Sequence, residues 1–195
     1  VADTVIPAQT EEDINIYVSL SYVLAHLKKF DRAIELILKT INPKDYKTLE
    51  YLLNLGSTFE QKYNEQFNLN LDYLEFAIEV YKKILIFDET SYEANYRIMK
   101  CYKKLKNFEE AKKYCQVALK SFPSSFDANY NMGILCYHLN KFEDAIYYFE
   151  LAINLEPKQT VEVYLNLSLV YELVQKEEDA IKILKDALNN IEDKN

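Results

Sequence analysis

Residues 92–123 read YEANYRIMKCYKKLKNFEEAKKYCQVALKSFP, and 34 residues further along the chain residues 126–157 read FDANYNMGILCYHLNKFEDAIYYFELAINLEP. Three residues and a proline keep the same spacing in both copies, and all but Met99 of the three are small: Met99, Ala111, Ala118 and Pro123, then Gly133, Ala145, Ala152 and Pro157. Small side chains let two helices of about 13 residues cross closely, and proline ends a helix. Each copy is therefore predicted to be a pair of packed helices.

The same spacing occurs in three further segments of the chain. Two of them keep the intervals of 12 and 7 residues without the proline, at Ser21, Ala33 and Thr40 and at Ser168, Ala180 and Ala187. The third has nine extra residues between Gly56 and Ala77. We therefore predict a single array over residues 14–194, after an N-terminal extension at 1–13. Its repeats are expected at about 14–46, 49–90 (with the insertion), 92–125, 126–159 and 161–194.

This pattern resembles the tetratricopeptide repeat, whose signature places a large residue, Leu-Gly and Tyr on a first helix and Ala, an aromatic residue, Ala and Pro on a second. The resemblance covers nearly the whole chain. It implies an all-α fold, a right-handed superhelical solenoid of about five helix-turn-helix repeats. It also implies that the first helix of each repeat lines an inner, concave wall.

Composition limits the function further. The net charge of −8 argues against nucleic-acid binding, which needs many Lys and Arg residues. We expect neither a membrane span nor a membrane partner, because no apolar run has the required length. The three cysteines are odd in number and lie in periodic apolar segments, so we interpret them as buried small residues of a cytoplasmic protein.

An enzymatic function is not expected. The sequence has no HExxH, CxxC, GxSxG or Gly-rich phosphate loop. Its two histidines, His26 and His138, lie in the first and fourth predicted repeats and are better explained as groove or surface residues. We therefore predict no catalytic residues, no metal and no cofactor.

An asparagine recurs at one position of the predicted inner wall. Asn54, Asn131 and Asn166 occupy it in three repeats, and Arg97 occupies it in another. An amide both donates to and accepts from a peptide backbone, so this row could hold an extended segment. Solubility and local packing explain the same asparagines equally well.

A basic cluster lies on the first helix of the third repeat. Arg97, Lys100 and Lys104 share one face because they are three and four residues apart. Such a cluster suits an acidic segment, but it could equally be a solvated face paired with acidic neighbours. With the asparagines, the predicted peptide-binding set also includes three aromatic residues of the wall, Tyr96, Tyr130 and His138.

Some tetratricopeptide repeat proteins hold the acidic tails of heat-shock chaperones with a carboxylate clamp. That clamp needs Lys and Asn on one first helix, Asn on the next, and Lys and Arg on the third. In the first three repeats only Asn54 and Arg97 fit. Binding of chaperone tails is therefore disfavoured.

The last repeat suggests a second kind of contact. Its apolar residues would face a sixth repeat, and we expect them to form an exposed end: Val163, Leu167, Val170, Val174, Ile181 and Leu188. Two functions remain open at this stage. One is a scaffold that binds an extended or acidic protein segment in its groove; the other is a structural subunit that forms a homodimer or larger complex through this end.

Overall fold

A computed structural model describes residues 11–40, 46–65, 71–156 and 161–192, and every element of secondary structure in these ranges is an α-helix. The all-α class is therefore confirmed for the described residues. The helices follow one another in pairs: α1 Glu11–His26 and α2 Phe30–Thr40; α3 Tyr46–Glu65 and α4 Asp72–Leu85; α5 Tyr92–Lys104 and α6 Phe108–Ser121; α7 Phe126–His138 and α8 Phe142–Leu155; α9 Val161–Leu173 and α10 Glu177–Glu192.

Four of the turns inside these pairs have the same backbone. Each contains one residue with a left-handed conformation, at φ between 56° and 60°: Lys28, Lys106, Asn140 and Gln175. In the fourth repeat the N–H of Lys141 then donates to the carbonyl of Cys136 at 2.9 Å, which closes the end of α7. Glycine usually occupies this position because it carries no Cβ. Because these positions hold Lys, Asn or Gln instead of glycine, the sequence did not indicate their left-handed conformation.

Two buried asparagines fix the loops between repeats. Nδ2 of Asn129 donates to the carbonyl oxygens of Pro123 at 2.9 Å and Ser125 at 2.8 Å. Asn95, 34 residues earlier, makes the equivalent bonds to Glu89 and Ser91. These amides satisfy loop carbonyls that would otherwise lose their hydrogen bonds on burial. Sequence analysis did not single them out, although both lie in the repeated AN-Tyr motif.

The two glycines lie where helices cross most closely, as the spacing predicts. A methyl group added at Gly133 would lie 2.5 Å from Cδ1 of Phe149, and one at Gly56 would overlap the ring of Tyr81. Both rings are buried. An aromatic side chain of the second helix therefore packs directly on the backbone of the first helix.

The nine-residue insertion lengthens one helix of the second repeat. Helix α3 has 20 residues, whereas α5, α7 and α9 each have 13. Helix α4 has 14 residues, the same length as α6 and α8. The described part of the insertion therefore extends only the first helix, and residues 66–70 lie outside the description, as do residues 1–10 of the predicted extension.

The chain divides into two compact units, residues 1–101 and 102–195, and each has its own core. Leu55 and Phe59 are buried in the first unit, and Met132 and Leu135 are buried in the second. No described helix is long and apolar enough to span a membrane.

The three cysteines are buried, as predicted, and they form no disulfide with one another. The thiol of Cys115 lies 3.4 Å from the carbonyl oxygen of Ala128, and burial raises the pKa of Cys115 to about 12. A thiol with such a pKa stays protonated near neutral pH, so Cys115 packs as a small apolar residue.

Half of the predicted apolar end is not exposed. Val163, Leu167 and Val170 are buried because α9 packs against both α8 and α10, so the prediction that they face outward is wrong. Val174 is half-buried. Of the six predicted residues, Ile181 and Leu188 on α10 are the two that are exposed to solvent.

Candidate functional site

The predicted peptide-binding residues are divided between the two units. Four belong to the first unit: Asn54, Tyr96, Arg97 and Lys100. Five belong to the second: Lys104, Tyr130, Asn131, His138 and Asn166. The structure brings some of them together within each unit, and the two groups differ in chemistry.

In the first unit a buried carboxylate, Glu60 on α3, lies between two members of the basic cluster. Its Oε2 is 3.7 Å from Arg97 NH1, and its Oε1 is 3.5 Å from Lys100 Nζ. Arg97 Nε also donates to Oε1 of Glu93 at 2.7 Å. Two acidic side chains therefore offset the positive charges of Arg97 and Lys100.

The ring of Tyr96 adds to the neutralisation of Lys100. Lys100 Nζ lies 5.9 Å from the centre of this ring, and the ring itself stacks on Tyr92 at 5.6 Å. A cation over an aromatic face is attracted to the ring. These contacts are those of a basic face paired with its own neighbours, the second of the two interpretations left open by the sequence.

The three asparagines of the predicted row lie in different environments. Asn54 is exposed, whereas Asn131 is buried. Oδ1 of Asn131 accepts a hydrogen bond from Lys103 Nζ, and its Nδ2 donates to the carbonyl of Asp127 at 2.8 Å. The Asn131 amide is thus already bonded to Lys103 and Asp127, and half-buried Asn166 is the member that lines a pocket.

That pocket lies in the second unit and has a volume of about 200 Å³. Five of its six lining residues carry aromatic or aliphatic groups, and one carries an amide: Ile134, Tyr137, His138, Phe149, Leu169 and Asn166. Tyr137 and His138 add a hydroxyl and an imidazole to the Asn166 amide, so a mainly apolar lining carries a few polar groups. Such a lining is typical of a site that takes an apolar side chain and orients the backbone beside it.

Neighbouring rings fix the wall of the pocket. Asn166 Nδ2 donates to the hydroxyl of Tyr130 at 2.9 Å, and the ring of Tyr130 lies 5.9 Å from that of Phe149. The imidazole of His138 stacks on Phe108 at 4.3 Å with an angle of only 6° between the planes. Burial, and secondarily the charge of Glu162, raise the pKa of Tyr130. The hydroxyl therefore remains a neutral donor and acceptor.

An apolar stripe continues from the pocket along α9. Four exposed aliphatic residues follow one another at intervals of four: Val161, Leu165, Leu169 and Leu173. Residues four apart share a helix face, so these side chains form a continuous surface. Exposed apolar surface of this kind marks an interaction site.

Three residues that determine the chemistry of the two sites are not in the set predicted from the sequence. Glu60 neutralises the basic cluster, and Tyr137 and Phe149 line the pocket. The repeat itself held a signal, because Glu60 lies four residues after Gly56 and Tyr137 lies four residues after Gly133. Among the described residues no group of His, Cys, Asp or Glu side chains could hold a metal ion.

Comparison with known proteins identifies the repeated pattern. Models of the tetratricopeptide repeat match residues 93–125 and 126–159. No curated protein matches the sequence.

Solved structures of MamA resemble the whole chain. One MamA protein is 27% identical, with 95% of each chain covered and a TM-score of 0.71. A second MamA structure is also 27% identical, covers 89% of this chain and 95% of its own, and has a TM-score of 0.68. MamA from Desulfovibrio magneticus RS-1 is 16% identical over 95% of this chain and 98% of that one, with a TM-score of 0.68, and this likeness concerns the fold alone. The predicted class of a tetratricopeptide solenoid is thereby confirmed.

Proposed function

We propose that this chain, which is a tetratricopeptide repeat protein and hence a protein-interaction scaffold, binds an extended segment of a partner protein along the inner wall of its second unit. The observation that carries the proposal is the apolar pocket beside Asn166. Repeats of this family generally build binding surfaces rather than catalytic sites, and we assign the chain no reaction.

The pocket suits one leucine or phenylalanine side chain of the partner. Its walls are formed mainly by Ile134, Phe149 and Leu169, and burying such a side chain contributes about 1.5–3 kcal/mol. The leucine stripe on α9 provides further apolar contact on either side of this anchor.

Asn166 would hold the backbone of the bound segment. A side-chain amide has two N–H donors and an acceptor oxygen, and the bond to Tyr130 uses one of the donors. A peptide bond of the ligand could therefore pair with the remaining groups, at about 0.5–1.5 kcal/mol for each hydrogen bond.

An acidic ligand is supported less well than an apolar one. It would have to displace Glu60 and Glu93 from Arg97 and Lys100 in the first unit. In the second unit Asp127 and Glu162 are exposed beside the wall and would repel it. We therefore extend the proposal to a segment with an apolar anchor and without excess negative charge.

Titration with short peptides, followed by nuclear magnetic resonance, tests the proposal. The probes are serine-rich nonapeptides whose central residue is Leu, Phe, Glu or Ser. We expect the Leu and Phe peptides to shift the Asn166 side-chain amide and the Leu169 methyl signals saturably. Leu169→Glu should weaken this binding at least tenfold, because it places a charge in the apolar wall.

Tyr147→Glu is the matched control, since it changes an exposed apolar residue outside the pocket. Binding of the Leu peptide should be unchanged in this variant. Equal shifts with all four peptides, or a preference for the Glu peptide, would contradict the proposal.

A second candidate function, a structural subunit joined through the ends of the array, is favoured by the exposure of Ile181 and Leu188 on α10. It does not exclude peptide binding, because the pocket and these two residues lie on different surfaces of the second unit.

A further inference from the structure

Helix α1 carries an exposed apolar stripe that the proposed peptide site does not use. Its four members are 44% to 64% exposed: Ile16, Leu20, Val23 and Leu27. They are four, three and four residues apart, the spacing of side chains that contact a neighbouring helix.

The equivalent residues of the third, fourth and fifth repeats are buried. When the repeats are aligned on Ser21, Met99, Gly133 and Ser168, the first three positions of the stripe correspond to residues that are 0% or 1% exposed. These are Ala94, Ile98 and Cys101 in α5, Ala128, Met132 and Leu135 in α7, and Val163, Leu167 and Val170 in α9. The stripe on α1 is thus the one copy of this surface that remains open among the four aligned helices.

The packing of the second unit shows what covers this surface. Helix α7 packs against α6, and α9 packs against α8, so a first helix contacts the second helix of the repeat before it. The apolar stripe on α1 therefore has the chemistry and spacing of a surface that receives a second helix of the same repeat type.

Helix α10 presents the other half of such a contact. An isoleucine follows the first small alanine in four repeats: Ile34, Ile78, Ile146 and Ile181. Ile34 and Ile78 are 6% and 3% exposed, whereas Ile181 is 56% exposed. About two helical turns further on, Leu188 is exposed as well. Ile181 and Leu188 thus occupy positions that a following first helix would cover.

We propose that these two surfaces bind each other between copies of the chain, so that α10 of one copy packs against α1 of the next. This contact between copies has the same arrangement as the contact between α8 and α9 within one chain. Helix α10 corresponds to α8, and α1 of the next copy corresponds to α9. The contact uses different surfaces on the two copies, so it is heterologous and builds open chains or rings of several copies rather than symmetric dimers.

Charge complementarity supports this pairing. Consecutive helices of the array run antiparallel, which would place the first turn of α10 beside the end of α1. That turn is acidic, with Glu177, Glu178 and Asp179. The turn after α1 carries two lysines, Lys29 and Lys28, and Lys28 Nζ also pairs with Asp72 Oδ2 at 2.7 Å. Opposite charges at this edge would fix the orientation of the two copies.

Sedimentation velocity of the full chain, at concentrations up to about 1 mM, tests the proposal. We expect the mean mass to rise with concentration beyond that of a dimer. Leu20→Glu and Ile181→Glu should each hold the protein at the mass of a monomer, because each blocks one of the two surfaces. Tyr147→Glu on α8 also changes an exposed apolar residue to glutamate, and it should associate like the wild type.

Mixing the two blocked variants provides the sharper result. Each still has one intact surface, and the intact surfaces are complementary, so the mixture should form a one-to-one dimer and stop there. Circular dichroism of each variant alone checks that its helices are retained.

Three outcomes would overturn the proposal. The first is a wild type that stays monomeric throughout the concentration range. The second is association of Ile181→Glu alone, which would mean that two α1 stripes pair with each other. The third is a mixture of folded variants that remains monomeric.

Discussion

The inner walls of the two units place different chemistry at equivalent positions of the repeat. In the first unit these positions hold Glu60, Tyr81, Arg97 and Lys100; in the second they hold Tyr137, Phe149, Asn166 and Leu169. The first group contains a buried carboxylate paired with two cations, and the second group lines an apolar pocket.

This difference shows that charge in a sequence is a poor guide to a binding site. The basic cluster is conspicuous in an acidic protein, yet its charges are offset by side chains of its own unit. The uncharged wall has fewer obvious features but retains the apolar surface and the pocket that a ligand needs. Four predictions test how much of the contrast depends on these residues.

The largest expected effect follows removal of the Phe149 ring, which packs on the backbone of α7 where α7 and α8 cross. Phe149 is buried over Gly133, so Phe149→Ala should lower the free energy of unfolding by about 3–5 kcal/mol. Urea denaturation followed by circular dichroism measures the change. Tyr147→Ala, at an exposed position of the same helix, should cost less than about 1 kcal/mol. Equal losses in the two variants would show that the crossing at Gly133 adds no special stability.

A double variant should convert the second wall into the first. Tyr137→Glu with Leu169→Lys places the charges of Glu60 and Lys100 at the equivalent positions of the pocket. We expect the leucine nonapeptide to bind at least tenfold more weakly, since both changes remove apolar contact. Restoration of Leu169 alone should recover part of the affinity. Unchanged binding by the double variant would show that these two positions do not define the pocket.

The opposite change should open the first wall to acidic ligands. Glu60→Gln removes the carboxylate between Arg97 and Lys100, and we expect it to cost about 1 kcal/mol of stability because both cations are partly exposed and can hydrate. The glutamate nonapeptide should then shift the Arg97 Nε signal, which it should not do in the wild type. If it shifts this signal equally in both proteins, Glu60 does not control access to the cluster.

The smallest effect is expected where α3 and α4 cross, at Tyr81. The hydroxyl of Tyr81 is buried without a hydrogen-bond partner among the described residues, and burial raises its pKa far above the usual value for tyrosine. Tyr81→Phe keeps the ring over Gly56 and removes this polar group. We expect the free energy of unfolding to rise by up to about 1 kcal/mol. A loss of stability of similar size would mean that the hydroxyl makes a bond through water.

Much of the helical framework was predictable because it depends on local spacing. The interval between Gly133 and Ala145 indicates two crossing helices, and Gly133 does lie under an aromatic ring of the second helix. The left-handed turn at Asn140 was less predictable, because three of the four such turns use Lys or Gln instead of the expected glycine or asparagine.

The site was less predictable than the helices. The asparagine row was identified from its repeat position, but Asn131 is buried in a bond to Lys103 whereas Asn166 faces a pocket. Nothing in the residue type distinguishes them. The neighbours that decide the difference come from adjacent helices, which the spacing of one helix does not describe.

The sequence by itself determined that the chain is a series of helix pairs, because small residues at fixed intervals specify where two helices can approach. It also determined the periodic burial of the core. Only the tertiary structure decided which polar groups are already satisfied and which surfaces remain open. The physical reason is that Glu60 can neutralise Arg97 and Lys100 only across the packed helices α3 and α5, and α9 buries Val163 and Leu167 only because it lies between α8 and α10.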